Sequence, residues 1–295
     1  MNELKLTSHA LLTAIIPVTD VRNRIATIET WVNQLPSNIQ ICFLFILDSK
    51  SDSEKFEFRK FISTLSGNHF QLIEVDYNSP GLSRNEGLVN ARTPWVCFWD
   101  SDDIPVPVEA LSAVSEAGSA EVLIGKYKNL DYNSNLTENF TSNDFTIEDI
   151  FARNPGLWRF IFLRSTLGDA RFSNFRMAED QLFLCHLDLG SKKIQFTPRV
   201  VYNYVNHSNT RLTNSFNAIR DLRMVQRDLI KLMSNKSNTI SLLVLIRITV
   251  TGIRNLAPIE KFKMLKYLFL YSCEPKNFIP ILRAISIILV KRISR

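Results

Sequence analysis

The sequence carries three carboxylates within four residues, directly after an apolar segment. Residues 95–99 are predicted to form a buried strand, and Asp100, Ser101, Asp102 and Asp103 follow it. Neighbouring carboxylates repel each other, and Asp100 and Asp102 project to the same side of an extended chain. Carboxylate oxygens are ligands that Mg²⁺ and Mn²⁺ prefer. The run therefore indicates a metal-diphosphate site or, equally well, the cap of a helix that begins just after it.

A second acidic pair, Glu179 and Asp180, stands before an apolar segment that is predicted to form a helix over 181–187. Asp180 is a candidate general base, because a positioned carboxylate can take a proton from an attacking hydroxyl. The same pair would also be stabilised at the positive end of the helix dipole. The two roles are compatible, although the dipole lowers the basicity of the carboxylate.

These acidic residues need a scaffold, and the hydrophobic pattern of the first hundred residues predicts one. Continuous apolar runs predict strands, and the amphipathic segments between them predict helices. The predicted strands are 12–17, 41–47, 70–75 and 95–99, and the predicted helices are 25–35, 56–65 and 83–90. Strands that alternate with helices predict a mainly parallel α/β sheet. Ligands of such sheets bind at the carboxyl ends of the strands, where Asp48, Asp76 and the acidic run stand.

The segment upstream of the acidic run carries a longer motif. Residues 79–88 read Ser-Pro-Gly-Leu-Ser-Arg-Asn-Glu-Gly-Leu, and a small turn, the apolar strand and Asp-Ser-Asp-Asp follow. This order resembles the central signature of glycosyltransferase family 2, whose members have the GT-A fold. Ala-Ile-Ile-Pro-Val over 14–18 and Ile-Leu-Asp-Ser-Lys-Ser-Asp over 46–52 are similar to earlier elements of that family, and 155–183 is similar to its acceptor-side block.

The resemblance implies a fold and a reaction. The expected fold is α/β of the GT-A type, with a Rossmann-like, mainly parallel central sheet, helices on both faces and a helical C-terminal region. The implied enzyme is an inverting hexosyltransferase that uses a nucleotide-sugar, by preference a UDP-sugar, with Mn²⁺ or Mg²⁺ as cofactor. Its implied acceptor is a glycan or a polyprenyl-linked glycan, as for family members that build bacterial surface polysaccharides of the cell envelope.

The resemblance also implies roles for individual residues. Asp180 is the expected catalytic base, and Asp102 and His207 are the expected metal ligands. The donor nucleotide is expected to contact Pro17, Val18, Asp48, Arg84, Asn85, Asp100 and Ser101. Acceptor or phosphate contacts are expected from Trp158, Glu179 and Arg211. The family usually has an aspartate where this sequence has Leu47 and a glycine where it has Ser49, so the pocket for the nucleotide base departs from the common pattern.

Two other classes of protein remain open from the sequence. One is an inactive GT-A-like protein that binds nucleotides or glycans, and the presence of Asp100, Asp102 and Asp180 argues against it. The other is a nucleic-acid-binding protein with a basic arm, but packing within a helix explains the aromatic residues near the lysines of 261–271 equally well. No nucleic-acid partner is expected. A dinucleotide-dependent dehydrogenase is excluded, because no Gly-x-Gly-x-x-Gly follows the first strand.

Charge is divided unevenly along the chain. Residues 216–295 carry 15 lysines and arginines against 4 acidic residues, a net charge of +11, whereas residues 1–215 carry 20 against 25, a net charge of −5. We expect 1–215 to form the catalytic domain, with a nucleotide-binding half at about 1–105 and an acceptor half at about 106–215. We expect 216–295 to form a basic helical region.

The apolar stretches 240–250 and 278–290 of that region are too short and too interrupted to span a bilayer. They are predicted either to lie on an anionic membrane surface as amphipathic helices or to pack on the rest of the protein, and the sequence leaves both open. The four cysteines form no CxxC pair, and no signal-peptide pattern is present at the N-terminus. We therefore expect a cytoplasmic protein, which in the membrane case is peripheral on the inner face of the plasma membrane.

Overall fold

The computed structural model describes residues 10–65, 67, 69–131, 135–139, 146–206, 216–235 and 238–293. The chain divides into two compact units. The first unit comprises 1–141, 157–171 and 192–209, and the second comprises 142–156, 172–191 and 210–295.

The first unit contains one mixed sheet. Its strands are β1 (Leu12–Val18), β2 (Ile41–Asp48), β3 (Phe70–Val75), β4 (Trp95–Phe98), β5 (Ile104–Pro105), β6 (Val122–Leu130), β7 (Leu136–Asn139), β8 (Phe160–Leu163) and β9 (Ile194–Val205). They are ordered β3-β2-β1-β4-β8-β6-β9-β5, and β7 pairs with β6. The first four strands in that order are mutually parallel, as predicted, whereas β8 is antiparallel to both of its neighbours.

The helices of the described residues are α1 (Val21–Val32), α2 (Asp52–Thr64), α3 (Pro80–Asn90), α4 (Pro107–Ser115), α5 (Ile147–Arg153), α6 (Arg164–Leu167), α7 (Glu179–His186), α8 (Phe216–Asn235), α9 (Thr239–Asn255), α10 (Pro258–Ser272) and α11 (Pro275–Ile293). Helices α1 to α4 and α6 belong to the first unit, and the others belong to the second. The prediction of an α/β fold followed by C-terminal helices is confirmed.

Strand β2 shows why the central strands could be predicted. Every residue of Ile41–Asp48 is buried, which is the pattern of a strand covered on both faces. Its aromatic side chains contact those of the neighbouring elements, as in the stacked pair of Phe43 and Phe70 and the edge-on pair of Phe45 and Phe58. This packing fixes the strand, and with it the position of the polar residue at its end.

Gly87 of the 79–88 motif has a packing role. A Cβ atom at this position would lie 2.3 Å from Cγ2 of Ile15. Only glycine therefore allows α3 to approach β1 this closely. The glycine therefore determines how closely α3 packs on the sheet, and with it the position of the other residues of α3 at the end of the sheet.

The segments 194–196 and 200–204 resemble two short strands in their residue pattern, but they are not separate strands. These residues form the single strand β9, which lies between β6 and β5. The register with β6 shifts where Phe196 pairs with Ile124 and Val200 with Lys126. Pro198 lies within this bulge, which interrupts the apolar alternation and makes one strand look like two.

Helix α9 forms the centre of the second unit. Residues 242–246 of this helix are buried, and α9 packs against α5, α8, α10 and α11. Nη1 of Arg247 donates hydrogen bonds to the carbonyl oxygens of Ala152 and Arg153, at the C-terminal end of α5. A cation is stabilised there by the carbonyls that the helix leaves without partners. Among the helices within the described ranges, none combines the length and apolarity that crossing a membrane requires.

Candidate active site

Asp48, the last residue of β2, anchors the loop that leads to α3. Its Oδ1 accepts hydrogen bonds from the backbone N–H groups of Tyr77 and Asn78, both at 2.8 Å. Its Oδ2 accepts from the N–H of Ser79 at 3.0 Å and from the hydroxyl of Ser83 at 2.9 Å. A carboxylate has about four acceptor positions, and all are filled. The hydrogen bonds give Asp48 a structural role, and its contact with a nucleotide base stays a prediction.

The anchored loop delivers Arg84 to the acidic run. Ser79 caps α3 by accepting a hydrogen bond from the N–H of Leu82, which begins the helix one turn before Arg84. Nη2 of Arg84 donates to Oδ1 of Asp100 at 2.8 Å. The guanidinium is buried, so its charge is weakly screened at this point. Arg84 is therefore paired with the acidic run, and its contact with the donor nucleotide stays a prediction.

A second arginine, Arg24 of α1, lies against Asp102. Its Nη2 is 3.6 Å from Oδ2 of Asp102, and the arginine is mostly buried. The carboxylates of Asp100 and Asp102 are 36% and 38% exposed, so both remain accessible from solvent. Each accessible carboxylate thus has its own arginine.

Asp103 is turned inward and is held by β9. The hydroxyl of Tyr202 donates to its Oδ2 at 2.9 Å and accepts from the N–H of Asp100 at 3.0 Å, and the N–H of Val205 donates to Oδ1 at 2.7 Å. Trp158 stacks on the ring of Tyr202 at a centroid distance of 4.8 Å. Burial, reinforced by the neighbouring acidic residues, raises the pKa of Asp103 well above its usual range. These hydrogen bonds hold Asp103, and with it the acidic run, against β9.

The capping explanation of the acidic run is excluded by the position of α4. This helix begins at Pro107, and its N-cap residue is Val106, whose side chain makes no capping hydrogen bond. The repulsion among the carboxylates is relieved instead by Arg24, Arg84 and the donors from β9. Repulsion alone therefore does not require a metal ion, because the chain supplies its own compensating charges.

The side chains at this edge still fit a divalent cation that takes only one or two of its ligands from the protein. No group of three or more His, Cys, Asp or Glu side chains within the described ranges is arranged as a metal cage. Two accessible carboxylates, Asp100 and Asp102, match the mode in which Mg²⁺ or Mn²⁺ takes one or two protein ligands and completes its shell with substrate phosphates and water. The donor set fits a metal that arrives with a diphosphate.

Other predicted donor contacts differ in accessibility. Pro17 and Asn85 are partly exposed at the same edge of the sheet, whereas Ser101 is buried. Val18 is fully buried in the hydrophobic core. Trp158 is also buried and packs on aromatic neighbours. Direct contacts from Val18 and Trp158 to a ligand stay predictions, and the structure gives both side chains a packing role.

Glu179 and Asp180 belong to the second unit and form the first turn of α7. The helix begins two residues earlier than predicted. Ala178, at its N-cap, has a φ of 62°, a left-handed conformation that costs a residue with a Cβ about 1–2 kcal/mol. Glu179 is buried and Asp180 is partly exposed. Backbone strain of this kind is concentrated at functional sites, which supports a role for the pair beyond helix capping.

His207 and Arg211 lie outside the described residues. The site has two further members that sequence reasoning missed, Arg24 and Tyr202. A basic residue just after β1 could have been considered, because β1 neighbours β4 in a sheet of this order. No sequence signal identified Tyr202, whose position depends on the pairing of β9 with β5.

Comparisons with known proteins agree with this architecture. The profile of the family described as glycosyl transferase family 2 matches residues 13–178, more than half of the chain. The structure is similar to that of S. aureus TarS 1-349, with a TM-score of 0.64 and 16% identity over 95% of this chain and 88% of that one. TarS 1-349 in complex with UDP-GlcNAc has a TM-score of 0.61 at 16% identity and covers 95% and 81%.

A mannosyltransferase, PcManGT from Pyrobaculum calidifontis in complex with GDP-Man and Mn²⁺, is similar with a TM-score of 0.52 and 14% identity over 97% of this chain and 88% of that one. At these identities, the likeness of the structures shows the fold. No curated protein matches the sequence.

Proposed function

Because the chain belongs to glycosyltransferase family 2, we propose that it moves a sugar from a nucleotide-sugar to a hydroxyl of a glycan or lipid-linked glycan by a single displacement with inversion. One observation carries the proposal. Two accessible carboxylates, Asp100 and Asp102, stand at the carboxyl edge of the parallel strands, and each is paired with a mostly buried arginine. This arrangement suits a metal-diphosphate group, because the carboxylates attract the metal ion and the arginines attract the phosphate oxygens.

The roles of the donor-side residues follow from their charges. A divalent metal, Mn²⁺ or Mg²⁺, would supply Lewis-acid stabilisation of the leaving diphosphate when it is bound through Asp102. Arg84 and Arg24 hold the carboxylates in place and present N–H donors to phosphate oxygens at the same edge. Pro17, Asn85 and Ser101 line the nucleotide side, while Asp48 holds the loop on which α3 begins. His207 and Arg211 remain proposed phosphate or metal contacts.

UDP is the proposed nucleotide. The similar TarS structure that contains UDP-GlcNAc supports this preference, whereas the PcManGT structure contains GDP-Man. The residues at 47 and 49 depart from the usual family pattern beside the base pocket. The base is therefore the feature of the donor that most needs a direct measurement.

Asp180 is the proposed general base, with Glu179 as an acceptor contact. The resemblance of 177–183 to the acceptor-side block of the family supports this assignment, as does the strained residue that precedes the pair. As a base, the Asp180 carboxylate would accept the proton of the attacking hydroxyl. We also propose that the protein works at the inner face of the plasma membrane through its basic C-terminal region, where a polyprenyl-linked acceptor would be available.

The donor part of the proposal is tested by calorimetry with UDP, GDP and CDP, each with and without Mn²⁺. We expect metal-dependent binding of UDP that Asp102→Asn weakens by about tenfold or more, a free-energy change of about 1.4 kcal/mol. The matched control is Asp76→Asn, which changes a half-exposed carboxylate that follows β3, and two strands separate β3 from β4 in the order β3-β2-β1-β4. Well-folded protein that binds none of the three nucleotides would overturn the donor site.

The role of Asp180 is tested by the slow release of UDP from UDP-sugars, in which water replaces the acceptor. Asp180→Asn should keep the UDP affinity and lower the rate by about 10²–10⁴-fold, the usual contribution of a general base. An unchanged rate would remove Asp180 from catalysis. The absence of any turnover by wild-type protein that binds UDP would favour a nucleotide-binding protein without transferase activity.

A further inference from the structure

Helix α10 exposes a broad apolar face. Met264 and Tyr271 bury one side of this helix. The opposite side carries Ile259, Phe262, Leu265, Phe269 and Leu270, all exposed. Phe262 and Phe269 lie seven residues apart, which places them on the same face two turns from each other. A surface helix normally turns a polar side to water, whereas α10 is apolar on its outer side as well as on its buried side.

Helix α11 is likewise apolar on both sides. Ile281, Ala284 and Ile288 are buried, whereas the large apolar side chains on its other side are exposed: Phe278, Ile279, Leu282 and Leu289. The described residues expose seventeen large apolar side chains, and ten of them lie in α10 and α11. Such a concentration marks an interaction surface rather than the scattered exposure that is normal for soluble proteins.

Cations are interleaved with these apolar residues. Residues 258–293 contain seven lysines and arginines and two glutamates. Lys266 is exposed and lies between Phe262 and Phe269 on the outer face of α10, and Arg283 is exposed on α11. Glu260 is already paired, with Arg223 and Lys263, each at 3.0 Å. The surface therefore offers apolar bulk together with a positive charge, because the seven cations outnumber the two glutamates, Glu260 and Glu274.

This combination decides which partner fits. In a two-fold contact between copies of the chain, the same basic patch would face itself, and like charges would be brought together. An anionic lipid surface satisfies both features, because aromatic and aliphatic side chains enter the boundary of the acyl chains while lysines reach the headgroups. Each lysine or arginine near such a surface contributes about 1 kcal/mol of attraction.

We propose that the outward faces of α10 and α11 dock on an anionic lipid bilayer, with Phe262 and Phe269 inserted at the level of the acyl boundary and Lys266 among the headgroups. This proposal identifies the surface for the membrane part of the proposed function and rests on that part alone. It does not depend on which nucleotide binds or on whether sugar is transferred.

The test is co-sedimentation of the full chain with vesicles of phosphatidylcholine alone and of phosphatidylcholine with about one third phosphatidylglycerol. We expect binding to the anionic vesicles only. Phe262→Ser with Phe269→Ser should weaken this binding at least about tenfold, because two side chains that are each 65% exposed lose their apolar area. The matched control is Phe56→Ser on α2, a phenylalanine that is 68% exposed and should leave binding unchanged.

Charge is tested separately by Lys266→Gln, which should weaken binding about fivefold, with Lys60→Gln on α2 as its control. Circular dichroism and calorimetry with UDP monitor folding and the donor site in every variant. Vesicle binding that persists when nucleotide binding is absent would reject the donor site and leave the docking surface intact. The proposal would be overturned if the wild-type protein did not bind anionic vesicles, or if the double phenylalanine variant bound them as tightly as the wild type. Self-association that only the double variant abolishes would assign this face to contacts between copies and overturn it as well.

Discussion

Replacing Asp48 by asparagine tests whether this residue stabilises the loop before α3 or binds the nucleotide. The substitution keeps the shape of the side chain and removes its charge. One oxygen can still accept from the N–H groups of Tyr77 and Asn78, although without the charge that strengthened both bonds. The new amide nitrogen takes the place of the other oxygen and faces the N–H of Ser79, so two donors meet.

The size of the effect follows from these contacts. A buried N–H that loses its acceptor costs about 1–3 kcal/mol, and loss of charge assistance in the remaining bonds costs about 1 kcal/mol more. The hydroxyl of Ser83 can keep a partner, because it also lies 3.0 Å from the carbonyl oxygen of Ser79. We therefore expect Asp48→Asn to lower the free energy of unfolding by about 3 kcal/mol.

Urea denaturation followed by circular dichroism measures this loss, and calorimetry with UDP and Mn²⁺ measures the affinity of the same variant. We expect the affinity to fall by less than about tenfold, a change of about 1.4 kcal/mol. Asp76→Asn is the control, because that carboxylate is half exposed, 3.6 Å from Nζ of Lys50, and such a pair contributes about 0–1 kcal/mol. A stable Asp48→Asn variant that loses UDP affinity more than tenfold would refute the reasoning and return Asp48 to the base pocket.

Three further outcomes are expected. Arg24→Gln removes the cation that shares a carboxylate with the metal, so Mn²⁺ alone should bind about threefold more tightly while UDP with Mn²⁺ binds more weakly; unchanged calorimetry would contradict this. Gly87→Ala should lower the unfolding free energy by about 1–3 kcal/mol, because its Cβ would meet an isoleucine of β1, and an unchanged urea midpoint would show that the contact yields freely. Burial raises the pKa of Cys42 to about 11 and of Cys185 to about 12, so at about pH 8 only the exposed Cys273 should react rapidly with a disulfide reagent, and all four cysteines should react in denaturant; a second fast thiol in folded protein would show that the core opens.

The strands and helices of the nucleotide-binding part could be predicted because each carries a local signal. β3 has the predicted bounds, and β2 differs by one residue, since continuous apolar runs identify strands that are covered on both faces. The pairing of Arg24 with Asp102 could not be predicted in the same way. It depends on which strands are neighbours, and in this sheet β1 neighbours β4, which ends before the acidic run.

The hydrogen bonds of Asp48 and Tyr202 show a second limit of sequence reasoning. An aspartate at the end of a strand can contact a ligand or its own backbone, and the residue types are the same in both cases. For Tyr202, the contact with Asp103 requires residues about a hundred positions apart to come into register. The helices α10 and α11 differ again, because apolar residues cover both their inner and outer sides and give no clear amphipathic pattern.

The arrangement of the two units along the chain has a consequence for how such a protein can change over generations. The chain passes from one unit to the other five times, at about 141, 156, 171, 191 and 209. Genetic recombination exchanges a segment as a cassette when the segment is continuous and folds by itself. Residues 210–295 are continuous, but helix α9 packs on α5, which is encoded far upstream. An incoming gene fragment for the last helices would therefore have to match a surface that it does not bring with it, and we expect variation here to accumulate through paired substitutions.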